Sequence, residues 1–116
     1  MATLTTQVIS RSSSGTSIAP VAATGTGDAM SCGAQNMLNV VNAGASSSTI
    51  TLAIPAARVW ESGVALTNPT YSVQAGQTRW IGPIDAVTFA DTTTGLCTIT
   101  YSQGTVSVAA VQLTQP

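Results

Sequence analysis

A chain of 116 residues makes one domain, long enough to bury a core of its own. Only 6% of it is charged, it holds neither lysine nor histidine, and its net charge is −1, where an ordinary soluble domain is about a quarter charged. Three scattered arginines form no basic patch for nucleic acid, no apolar run is long enough to span a membrane, and MATLTTQVISRSSSG has no charged segment leading into an apolar one as a secretory signal would, so synthesis in the cytoplasm is expected.

Residues 1–31 are low in complexity and read as an extended N-terminal arm that buries little surface of its own, either as a partly disordered tail or as an arm that orders on a neighbouring subunit. Thr3 to Ile9 reads as a strand, Ser12 to Gly15 as a joint, and Ile18 to Ala23 as extended chain, because Pro20 biases its neighbour away from helix. Residues 32–116 read as the β-domain proper. Asp28 to Gln35 reads as a loop. Asn36 to Asn42 and Ser48 to Pro55 alternate apolar and polar residues with a period of two and read as a hairpin joined at Ala43 to Ser47. Ala56 to Asn68 breaks the pattern and is expected to cross the surface, carrying Arg58, Trp60 and Glu61.

Tyr71 to Pro83, YSVQAGQTRWIGP, reads as a central hairpin. Its turn is Gln74 to Gln77, with Gly76 where a positive φ is needed. Ala86 to Ala90 alternates as a short strand would, with Val87 and Phe89 on one face. Leu96 to Ser102 puts Cys97, Ile99 and Tyr101 on one face. In Thr105 to Leu113, Val106 and Val108 fall on one parity and Val111 and Leu113 on the other, which predicts a β-bulge near Ala109-Ala110. No segment of ten residues has a helical apolar period. The expectation is an all-β fold, a compact antiparallel sandwich or barrel of about seven or eight short strands.

The chemistry of the chain is sparse. Without histidine there is no common base near neutral pH, no Ser-His-Asp triad and no usual zinc ligand, so neither an enzyme nor a cofactor is expected. Asp85 and Asp91 flank one predicted strand and read as turn residues; calcium would want six or more oxygens. Cys97 is expected to be buried. Cys32 and Cys97 read as free thiols in a cytoplasmic product, or as a bridge in one later released to an oxidising medium. The aromatic faces of Trp60 and Trp80 allow a sugar-stacking reading, but packing or protein contact is the better account, since tryptophan and arginine are over-represented at interfaces. Trp80 is expected to cover the edge of the core. Arg79 and Trp80 point to opposite faces of one strand, so one of them must face outward. The interface candidates are Arg11, Pro20, Arg58, Trp60, Glu61 and Arg79.

A set of motifs resembles the small β-rich capsid decoration, or cement, proteins of tailed bacteriophages. It comprises Ala22-Ala23-Thr24 with Gly27-Asp28, then Leu38, Val40, Asn42 and Gly44, then Ile50 to Pro55. Val73, Ala75-Gly76, Thr78-Arg79 and Ile81-Gly82-Pro83 follow, then Phe89-Ala90-Asp91 with Gly95, Ile99-Thr100-Tyr101, and Val106 to Leu113. The match runs from about residue 18 to residue 113, and AGQTRWIGP is its most specific piece. Ile84 departs from the aromatic usual after Gly-Pro, Arg58 to Glu61 is peculiar to this chain, and Thr114 to Pro116 run past the usual end. The resemblance implies a structural protein on the outer surface of the capsid. Its partners would be the major capsid protein and further copies of itself in a small homo-oligomer, with no nucleic acid and no membrane. A tail- or baseplate-associated β-domain and a host- or carbohydrate-binding module displayed on the virion are the competing expectations.

Overall fold

A computed structural model describes residues 2–9, 17–25, 27–55 and 67–113. The chain is all-β, a sandwich of two mixed sheets with one helical turn. Among the described residues there are ten strands, more than the seven or eight expected. They are β1 (Ala2–Thr3), β2 (Thr6–Ile9), β3 (Val21–Ala22), β4 (Asp28–Ser31), β5 (Asn36–Asn42), β6 (Ser48–Leu52), β7 (Thr70–Val73), β8 (Thr78–Ile81), β9 (Leu96–Tyr101) and β10 (Val106–Leu113), with α1 (Ala86–Phe89) between β8 and β9. One sheet has the order β1-β4-β9-β6-β7. The other has the order β2-β10-β5-β8, with β3 also paired to β10. Most pairs are antiparallel, but β1 joins β4 and β2 joins β10 in parallel.

The inward parity of both sheets is apolar, and it builds one core. Met30, Ile50, Leu52, Val73, Cys97 and Ile99 come from the first sheet. Leu38, Val40, Ile81, Val106, Val108 and Ala110 come from the second. Leu4, Ile84 and Phe89 close its margins. Removing any one of the large aliphatic side chains down to alanine should cost roughly 2–5 kcal/mol.

Four readings from the sequence are corrected. The first concerns the two hairpins. β5 does not pair with β6, nor β7 with β8: β5 and β8 pair with each other in one sheet, and β6 and β7 in the other. Each turn therefore carries the chain from one sheet to the other, as an arch across the core. The second is Asp28 to Gln35, whose first four residues form β4 against β9, with Asp28, Ala29 and Met30 buried. The third is Ala86 to Ala90, which is a helical turn. The Asp85 carboxylate accepts a hydrogen bond from the Thr88 N–H at 2.9 Å and caps it. The turn sends Phe89 into the core and leaves Val87 78% exposed. The fourth is the bulge. The β10–β5 register runs unbroken from Val106↔Asn42 to Gln112↔Asn36. The parity changes because β10 is an inner strand covered on both faces: Ala110 faces the core, while Ala109 and Val111 are buried on the other side.

The N-terminal stretch is built into both sheets. Residues 2–9 start in one sheet as β1 and cross to the other as β2, with Leu4 buried at the crossing and its N–H on Ala29 O at 2.8 Å. The Gln7 carboxamide then imitates a strand partner for Ala19. Nε2 donates to Ala19 O at 2.9 Å, and Oε1 accepts from Ala19 N–H at 2.8 Å. Gly27 leads into β4 at φ 103°, and a Cβ there would stand 2.6 Å from the carbonyl oxygen of Ile99. Only glycine fits that approach.

Candidate docking surface

The stretch from Tyr71 to Ile81 forms one flank of the sandwich. β7 is the outer strand of its sheet and β8 the outer strand of the other. The turn between them closes with Gln77 N–H on Gln74 O at 3.0 Å, and Gly76 has the positive φ expected of it, 77°. Both strands expose three residues and bury only the last, Val73 and Ile81.

Register places the exposed side chains. Arg79 lies opposite Val40, on the parity that faces the core, and Tyr71 lies opposite Ile50 in the other sheet. Both therefore stand at the seam where the two sheets meet solvent. Tyr71 is 38% exposed, and Arg79 is exposed with its guanidinium donating to Gln77 Oε1 at 3.1 Å. Among the described residues no carboxylate pairs with it. Trp80 lies opposite the buried Asn39 on the outer face, and it is 49% exposed. The expectation that Arg79 and Trp80 take opposite faces holds. Trp80 stands on the face away from the central core, not over the core edge.

The flank thus offers a phenol and a guanidinium at the seam and an indole on the outer face, on two strands that are the last described in their sheets. Such a set can stack, donate in a planar fork and extend a sheet. Pro20 is also exposed, on the segment that Gln7 holds beside β2. Arg11, Arg58, Trp60 and Glu61 lie outside the described residues. Of the six candidates, Arg79 is the one placed on this flank. Tyr71 and Trp80 belong with it and were not among the six; the signal for them was an aromatic on each strand of a segment with few other large side chains.

A second feature is a groove of about 430 Å³ where residues 2–7 cross between the sheets, lined by Leu4, Gln7, Val21, Asp28 and Val108 among others. Asp28 forms part of its wall and is fully buried. Its Oδ2 accepts from Tyr101 Oη–H at 2.8 Å and from Thr24 N–H at 3.1 Å, while Oδ1 has no hydrogen-bond partner. Burial alone would raise the pKa of this carboxyl, but the hydrogen bonds from Thr24 and Tyr101 outweigh it and hold the pKa below its ordinary value. Asp85 and Asp91 are turn residues as expected. Asp85 caps α1, and Asp91 Oδ1 accepts from Thr93 N–H at 2.7 Å and Thr94 N–H at 3.1 Å. Among the described residues no three or more histidine, cysteine or acidic side chains gather as a metal site would need, and no helix is long and apolar enough to cross a membrane.

No family model matches the chain, and no curated protein or solved structure matches it.

Proposed function

We propose that this chain is a structural virion protein of a tailed bacteriophage, which decorates the outer surface of the capsid and cements it through contacts with the major capsid protein. The observation that carries the reading is the flank of Tyr71, Arg79 and Trp80, of which Arg79 and Trp80 belong to the AGQTRWIGP segment on which the resemblance is most specific. Tyrosine, tryptophan and arginine are the side chains that most often dominate binding energy at protein interfaces. The low charge of the chain fits a protein held in an assembly. A protein that binds only the mature shell stabilises that shell by mass action, and many identical weak contacts then act together.

Purified protein added to shells that lack it tests the reading. Trp80→Ala and Arg79→Ala should each weaken co-sedimentation with shells by about tenfold or more, the effect of losing about 1.4 kcal/mol or more at an interface hot spot. Both side chains are exposed, so the thermal midpoint should stay within a degree or two. Shell binding unchanged in both variants would reject this flank as the docking surface. The copy number in purified virions tests the location: a simple ratio to the major capsid protein is expected, and a handful of copies per particle would move the protein to the tail or to host recognition.

A further inference from the structure

Cys32 and Cys97 are separated by 65 positions in sequence (97 − 32), yet the sheet brings them together. β4 and β9 pair with Met30 opposite Cys97 and Ser31 opposite Leu96. Cys32 is the next residue of the same chain, on the parity of Met30, so it sits diagonally across from Cys97 on the core side. Both pack in the same core cluster. Both cysteines carry free thiols. Their access to solvent differs. Cys97 is fully buried, while Cys32 is partly exposed and lines an open groove with Gly33, Asn36 and Gln112.

We propose that Cys32 and Cys97 are a disulfide-forming pair, oxidised by a low-molecular-weight disulfide that enters at the groove beside Cys32 and closing with the strands in place. The Cys32 thiolate attacks one sulfur of the small disulfide, and the first small thiolate leaves. Cys97 then gives up its proton, its sulfur attacks Sγ of Cys32, and the second small thiolate leaves. Two protein thiols and one small disulfide become one protein disulfide and two small thiols, so two electrons pass from the protein to the reagent. The order follows from exposure: only Cys32 can meet the reagent first, and Cys97 resolves the adduct. Burial raises the Cys32 thiol above its ordinary pKa, with the nearby Asp85 charge adding to it and Cys97 hydrogen bonds opposing it. Burial, with Cys32 alongside, pushes Cys97 up to about 12. Exchange is therefore slow at neutral pH and speeds up with pH as the thiolate fraction grows. The bridge would fasten β4 to β9 across 65 positions of chain, and it depends in no way on what the fold docks against.

The test uses the reduced full-length protein incubated with oxidised glutathione at pH 8, followed by intact-mass and non-reducing peptide mass spectrometry. The expected product is a single species lighter by about 2 Da, with Cys32 and Cys97 peptides joined. Its thermal midpoint should rise by about 10 °C and return on reduction. Cys97→Ala should stop at a stable glutathione adduct on Cys32, and Cys32→Ala should form no adduct while folded. A wild-type protein that stays reduced, or that accumulates the adduct without losing it, overturns the proposal. So does an oxidised protein that melts below the reduced one, because closure would then have distorted the sheet.

Discussion

Asn42→Ala should lower the unfolding free energy by about 3 kcal/mol, the cost of stripping partners from buried backbone groups. Asn42 is fully buried at the end of β5, where the two arches meet. Its side chain donates to Val73 O at 2.8 Å and to Ser46 O at 2.9 Å, and its Oδ1 accepts from Gly44 N–H at 3.0 Å. Its backbone donates to Gln77 O at 2.9 Å and accepts from Gly76 N–H at 2.7 Å. One residue thus ties the turn after β5 to the turn after β7. Alanine would take the side-chain donor away from the Val73 carbonyl, remove the acceptor of the Gly44 N–H and open a small cavity, while the exposed Ser46 end can turn to water. Asn42→Asp should be worse at neutral pH, since it aims a buried carboxylate at two carbonyl oxygens. It should recover in part in acid, where protonation returns one donor. Urea unfolding of the three proteins gives the differences. A loss below about 1 kcal/mol for Asn42→Ala would mean that core packing, not this residue, holds the arches.

The same residue shows where the sequence stops being readable. Alternation identified β5, β6, β9 and β10 and their inward side chains, because a half-buried strand needs an apolar residue at every second position. Alternation does not say whether two neighbouring strands pair edge to edge or face each other across a core. A hairpin and an arch need the same turn residues and bury the same parity. What separates them is long-range, namely which strand comes to lie beside β5, and that is settled by β8 and β10 from far along the chain. The helical turn at Ala86 to Phe89 was hidden for a related reason. Four residues are too few to show a 3.6-residue period, and the Asp85 cap outweighs the local alternation.

The docking flank was half legible. Arg79 stood out because charges are so few. The sequence alone points Trp80 toward the core edge, because an aromatic beside Ile81 usually packs inward. Its exposure follows from β8 being an outer strand, which only the sheet order reveals. The pair of the buried Asp28 and the half-buried Tyr101 was not legible at all. The two residues are 73 positions apart, and the hydrogen bond between them exists only because β4 lies against β9 with Asp28 opposite Ile99, two residues from Tyr101.

That pair gives the second large effect. Tyr101→Phe should cost about 2 kcal/mol at neutral pH, the usual worth of a hydrogen bond to a charged, partly desolvated group. The pH dependence of the loss identifies its cause. The folded pKa of Asp28 lies below its ordinary value, so its contribution is complete above the unfolded value, near about 4, and is lost as pH falls through the folded one. Phenylalanine has no hydroxyl to lose, so the gap between wild type and variant should narrow in acid. Burial first, and then the Asp28 hydrogen bond and charge, push the Tyr101 phenol far above its ordinary pKa. Above about pH 10 the unfolded phenol ionises while the folded one stays protonated, which draws the wild type toward unfolding and leaves the variant untouched at this position. The gap should therefore be widest between about pH 4 and pH 10 and shrink on both sides, as read from urea midpoints across that range. A gap that stays constant into acid would show that Phe costs stability through packing around β9, with the carboxylate playing no part. A gap that narrows only in acid would mean that the phenol ionises as readily in the fold as in the open chain, so that burial does not protect its proton.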